Sequence, residues 1–190
     1  MSETAPLDAL TRSSATFGEQ LALVGDEDWA RQTNTENWDV RSLVAHLVIG
    51  DATAKDALSG VVTKRVTSFD AAILGEEPLV AWRGTAVAMI RAFSDPGVLE
   101  EVYELDGVSL SGEALLGLRV SDALVHTWDL AEAIGRSIAL PDDLAEFALD
   151  SWSSLMSRLD DATFYGEGPI EPAVDAAPAV RLLALMGRRG

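Results

Sequence analysis

Between positions 40 and 48 the chain carries Val40, Leu43, Val44, Leu47 and Val48, apolar residues at i, i+3, i+4, i+7 and i+8. That spacing lines one face of an α-helix, whereas a half-buried strand would alternate every second residue. Asp39 stands just before it, a short acidic side chain suited to accept from the free amides of a helix start. The pattern recurs, and it points to an all-helical fold. A first helix is predicted from Pro6 to Val24, with Leu7, Leu10, Phe17, Leu21 and Val24 on one side and the turn-like Gly25-Asp26-Glu27-Asp28 after it. A third runs from Pro78 to Phe93 and stops at Ser94-Asp95-Pro96-Gly97. The fourth spans Gly112 to Ile134, ended by Gly135; the fifth covers Asp142 to Leu159 after Pro141. A short last helix is predicted from Pro178 to Met186, before Gly187. Helices end where Gly and Pro cannot continue them.

Two connections are long. Ser59 to Leu74 carries few helix signals, whereas Val98 to Ser111 holds Val98, Val102-Tyr103 and Val108, which suggest a short extended stretch or hairpin. Residues 166 to 178 form a tail rich in Pro and Ala. Long helices joined by an extended crossover point to a four-helix bundle with appended pieces. With 190 residues, one domain over 1–190 has enough chain to bury a core without disulfides.

Charge and composition narrow the function. The 14 basic and 31 acidic residues leave a formal charge of −17, which repels phosphate backbones and anionic lipid, so nucleic acid and membrane surfaces are not expected partners. No run reaches the roughly 18 uninterrupted apolar residues of a membrane span. The start, Met1-Ser2-Glu3-Thr4, lacks a signal-peptide pattern, and there is no cysteine. A cytoplasmic protein is expected, and any metal it binds must be held by His, Asp or Glu.

The chain has only two histidines. His46 lies within the apolar Leu43–Ile49 turn, and His126 follows Asp122 by four residues. An i, i+4 carboxylate–imidazole pair shares one helix face and converges on a single ion, and His46 is the natural third ligand from another helix. The same spacing has a second reading. At about 100° per residue, Arg119, Asp122, His126 and Asp129 form one stripe opposite Leu116, Val120, Thr127 and Ala131. That stripe equally describes a solvated face with i, i+3 ion pairs, and His46 a buried histidine satisfied by a backbone carbonyl.

The flanking residues carry a resemblance. Trp29 and then Trp38-Asp39-Val40-Arg41-Ser42-Leu43-Val44-Ala45-His46-Leu47 resemble the first signature of the DinB-like, mycothiol-dependent maleylpyruvate isomerase superfamily. Arg119 to Ala131, reading Arg-Val-Ser-Asp-Ala-Leu-Val-His-Thr-Trp-Asp-Leu-Ala, resembles its second, with Gly135 closing the helix. Ala177-Pro178-Ala179-Val180-Arg181-Leu182-Leu183-Ala184-Leu185-Met186-Gly187-Arg188 is similar to the C-terminal motif of an actinobacterial branch.

The resemblance implies a DinB-like four-helix bundle with a divalent metal held by His46, Asp122 and His126, and with water or substrate at the remaining positions. Zinc suits such nitrogen and oxygen ligands in an open site, and nickel or iron would also fit. The implied cosubstrate is a low-molecular-weight thiol of the mycothiol type, and the implied activity is thiol transfer or isomerisation on a small electrophilic molecule. The characterised isomerases carry Glu at the position of Asp122, and they have a second, C-terminal domain. Arg119 reads as an ion-pair partner of Asp122 or a contact for an anionic substrate group. Asp129 reads as an acceptor orienting His126 or as a solvated carboxylate. Trp38 and Trp128 flank the ligands and read chiefly as core. The rival readings are a non-catalytic metal-binding module that holds a small ligand or senses metal, and a plain bundle without an ion. A homodimer is among the assemblies considered.

Overall fold

The computed structural model describes residues 4–35, 37–61, 70–105, 107–156, 170–173 and 175–189, with the backbone alone at 154–156. The described residues form six helices: α1 (Pro6–Leu21), α2 (Val40–Leu58), α3 (Pro78–Phe93), α4 (Gly112–Ala133), α5 (Asp142–Met156) and α6 (Pro178–Leu185). A hairpin of β1 (Val102–Leu105) and β2 (Val108–Ser111) precedes α4, with Val102 opposite Ser111 and Leu105 opposite Val108. A single 3₁₀ turn, Ala71–Leu74, precedes α3 in the connection where few helix signals were found. The fold is all-α with this one small sheet, as the periodicity implies. None of the described helices is long and apolar enough to cross a membrane.

The helix starts follow their local chemistry. The Asp39 side chain accepts from the Ser42 amide at 2.8 Å, and the Ser111 hydroxyl accepts from the Ala114 amide at 3.2 Å. Proline opens α1, α3 and α6, where its missing amide costs no helical bond. The first helix ends three residues earlier than predicted. Leu23 and Val24 donate to Gln20 and Leu21, bonds of i→i−3 type that tighten the last turn, yet Val24 still packs on the core. The apolar spacing therefore outlasts the helix. The predicted end of the fifth helix at 157–159, the middle of the second connection at 62–69, and 166–169 and 174 of the tail lie outside the described residues.

Packing puts α4 at the centre. It touches α1, α2 and α5; α3 touches α2 and α1, so α1, α4, α2 and α3 close a ring, and α6 rests on α5. One apolar cluster joins Leu115, Leu116, Val120 and Leu124 of α4 to Leu144, Ala148 and Trp152 of α5 and Leu182 of α6. A second joins Ala123 and Leu130 of α4 to Leu43, Val44 and Leu47 of α2 and to Phe17 and Trp82. Each such aliphatic side chain contributes roughly 1.5–3 kcal/mol on burial. Because both sides of α4 are covered, Arg119, His126 and Asp129 are buried, at 8%, 6% and 0% exposure, on the same helix as the fully buried Val120 and Ala131, and Asp122 alone of the stripe is partly exposed. The solvated-face reading of that stripe therefore fails. Polar groups enclosed in this way need partners.

Candidate metal centre

Those partners are one another. The contact of α2 with α4 sets His46 against the Asp122–His126 turn. His46 Nε2 lies 3.1 Å from Asp122 Oδ2, and His126 Nε2 lies 3.3 Å from Asp122 Oδ1. One ligand atom from each of the three falls within 4.8 Å of the others. The imidazole centroids are 5.0 Å apart, with planes at 76°. Trp38 lies against both rings, 4.8 Å from His46 and 5.8 Å from His126. It also packs on the second apolar cluster, so it is at once core and wall of the site, while Trp128 packs on the first cluster only. Exposure is lopsided: the His46 and Asp122 side chains are each 24% exposed and His126 is 8% exposed. Solvent therefore reaches the trio at His46 and Asp122 more than at His126.

Two arginines complete the arrangement. Arg119 donates from Nη1 to Asp122 Oδ2 at 2.7 Å, and from Nη2 and Nε to Asp51 Oδ1 at 2.7 and 3.1 Å. Gly50 makes room for it: a Cβ there would stand 2.6 Å from Arg119 Nη1. The predicted ion pair with Asp122 is present, and Asp51 is an additional partner. On the other side, Asp129 Oδ2 accepts from His126 Nδ1 at 2.9 Å, so this carboxylate is an acceptor for the imidazole and not a solvated group. Asp129 is also gripped by Arg188, from Nη2 to Oδ2 at 2.8 Å and from Nε to Oδ1 at 3.1 Å.

The electrostatics follow. Burial alone would raise the Asp122 carboxyl, but His46, Arg119 and His126 outweigh it and hold the group ionised, well below the usual range. Burial likewise opposes a charge on His126, yet Asp122 and Asp129 lift it to about 9. His46 moves the other way, because burial lowers it more than Asp122 raises it. Asp129, despite burial, is lowered by His126 and Arg188. Burial also opposes the Arg119 charge, which Asp51 and Asp122 maintain. With Asp129 ionised, the proton of the shared bond sits on His126 Nδ1, leaving Nε2 aimed at Asp122.

The donor set fits a divalent cation. Two imidazole Nε2 atoms and one ionised carboxylate would supply three nitrogen or oxygen ligands, a donor set that suits zinc and falls one short of the four that close a structural site. The indirect partner expected of a ligating histidine, a carboxylate on the far ring nitrogen, is Asp129.

Three residues of this network were not found by reading the sequence. Asp51 had a usable signal: it lies seven residues after Val44 and four after Leu47, on the apolar side of α2, where a lone acid demands a partner. Thr35, whose hydroxyl accepts from Arg188 Nη2 at 3.1 Å, carries no local signal, and Arg188, although it closes the C-terminal motif, has nothing in that motif that points to Asp129.

Fold and site together define an all-helical protein with a histidine–carboxylate cluster between two packed helices. The family model described as "Mycothiol maleylpyruvate isomerase N-terminal domain" matches residues 10–131, and the chain belongs to that family. An uncharacterized protein of Mycobacterium tuberculosis, from strain ATCC 25618 / H37Rv and likewise from strain CDC 1551 / Oshkosh, is 26% identical to it over 96% of this chain and 97% of its own length. The crystal structure of the mycothiol-dependent maleylpyruvate isomerase matches with a TM-score of 0.55 at 14% identity, over 77% of this chain and 68% of that one. A point mutant of the same enzyme matches equally at 13% identity. These two matches are likenesses of fold.

Proposed function

We propose that the chain is a metal-dependent enzyme, a single domain over 1–190, that uses a low-molecular-weight thiol of the mycothiol type for thiol transfer or isomerisation on a small electrophilic substrate. The observation that carries this reading is the convergence of His46 Nε2 and His126 Nε2 on the Asp122 carboxylate, with His46 and Asp122 partly exposed. Membership of a mycothiol-related enzyme family supports the choice of thiol. His46, Asp122 and His126 would hold the ion, and zinc suits the donor set best. Once bound, the ion supplies Lewis acidity, which strips the proton from a thiol or polarises a carbonyl.

The remaining residues shape that site. Asp129 keeps the proton on Nδ1 of His126 and so leaves Nε2 as the donor. Arg119 spends its hydrogen bonds on Asp51 and Asp122, which makes it a positioning residue for Asp122 rather than an anchor for substrate. Trp38 bounds the site with an apolar face. The test is a mass-spectrometric assay of zinc-loaded protein with mycothiol and a panel of small electrophiles. Thiol adduct or isomerised product above the uncatalysed rate, absent in His46→Ala, is the expected result. A bound ion without turnover on any thiol would instead identify a non-catalytic metal-binding module.

A further inference from the structure

The motif that ends the chain lies outside the family match at 10–131, and nothing in the proposed chemistry uses it. Its geometry is specific. After α6 the chain turns at Gly187, whose φ of 76° is a left-handed conformation that favours glycine. The Arg188 amide bonds the Leu183 carbonyl at 2.8 Å, and the Gly187 amide bonds that of Ala184 at 3.0 Å. These two bonds define a Schellman turn, and it reverses the chain toward α4. Leu182 and Leu183 are buried, so the turn is anchored in the core.

From there Arg188 reaches the fully buried Asp129 by two parallel bonds, with its own side chain 13% exposed. A planar guanidinium matched to both carboxylate oxygens fixes the carboxylate plane as well as its charge. Asp129 in turn fixes the His126 ring through Nδ1. The same guanidinium bonds Thr35, three residues before the Trp38 that covers both histidines.

We propose that Arg188 is a positioning residue of the metal centre: the C-terminal turn sets the ion affinity of the His46–Asp122–His126 trio by locking Asp129 against His126. The inference rests on the metal-binding reading and extends it to the far end of the chain. Without Arg188, the buried Asp129 keeps one charged partner in place of two, and the paired bonds that fix the carboxylate plane against the imidazole are gone.

The test is a competition titration of zinc against a chromophoric chelator, run beside thermal melts of the metal-free protein. Arg188→Gln is expected to weaken zinc binding by about tenfold, the low end of the loss when partners behind a metal ligand are removed. Arg188→Lys, which keeps the charge but not the paired bonds, should recover part of that loss. Arg181→Gln, on the exposed side of α6, should match the parent protein. If Arg188→Gln lowers the melting temperature yet binds zinc within about twofold of the parent, where an orienting role demands more, the residue is merely structural and the proposal is overturned. The same holds for Arg188→Lys should the glutamine variant not fold. A parent protein that binds no zinc overturns the metal reading itself, a result distinct from parent binding that Arg188 does not affect.

Discussion

Arg119 and Arg188 do similar chemistry on opposite sides of the same three residues, and they differ in what they hold. Arg119 sits between α2 and α4, bonds the Asp122 carboxylate directly, and is itself neutralised by the buried Asp51. Arg188 arrives from the C-terminal turn and bonds Asp129, which in turn bonds His126. The first arginine is built into the contact between two helices, where its loss would strand the buried Asp51. The second is held by the turn after α6 and grips Asp129. The pair buried between two helices is expected to weigh mainly on stability, and the one reaching in from the terminal turn mainly on the metal centre. The comparison can be broken experimentally.

The largest effect is expected at Arg119. Arg119→Met strands the buried Asp51 and should cost about 3–5 kcal/mol in chemical denaturation, as broken buried pairs do. Adding Asp51→Leu should recover most of that loss, since an apolar pair of similar volume commonly replaces a buried ion pair without penalty. No loss in the single variant would mean that Arg119 is as peripheral to stability as Arg188. Next comes Asp122→Asn, which removes the only anionic ligand of the trio. Zinc affinity in a chelator competition should fall by more than about a hundredfold, beyond what outer partners cost.

A pH series sharpens the contrast between the carboxylate and imidazole sides. His126 is raised in the fold from 6.5 to about 9. Its contribution to metal-free stability is therefore complete below 6.5 and lost as pH climbs through about 9. Zinc binding should strengthen over that same interval, because the ion displaces the proton from His126. Asp122 and Asp129 are depressed, so their contributions are present above the usual carboxylate value of 3.8 and vanish only on acidification below it. Melts with and without zinc should thus converge toward acid and diverge toward alkaline pH. Smallest is Gly50→Ala: its methyl presses on Arg119, and against the gain in helix propensity a net loss of about 1 kcal/mol is expected in a thermal melt.

Much of this was legible in the sequence, for identifiable reasons. Helix α2 announced itself by its spacing and by Asp39, and the hairpin before α4 by Val102-Tyr103 and Val108. The Asp122 and His126 pairing was readable because both lie on one helix, one turn apart. The stripe on α4 was ambiguous for a physical reason. Periodicity distinguishes a buried face from a wet one only when one side is wet, and α4 is covered on both. Of the two readings of Asp129, the solvated carboxylate is ruled out by its burial and its bond to His126. The grip of Arg188 was hidden because 59 residues separate it from Asp129 and 153 from Thr35, beyond any local pattern.

The central claim is that His46, Asp122 and His126 share one cation. Elemental analysis of protein purified without a histidine tag, before and after zinc addition, tests it most directly. The account predicts one zinc per chain, held through gel filtration and lost in Asp122→Asn. A content far below one per chain, unchanged by added zinc, would contradict it and leave a helical domain whose two histidines are only ion-pair partners of an aspartate.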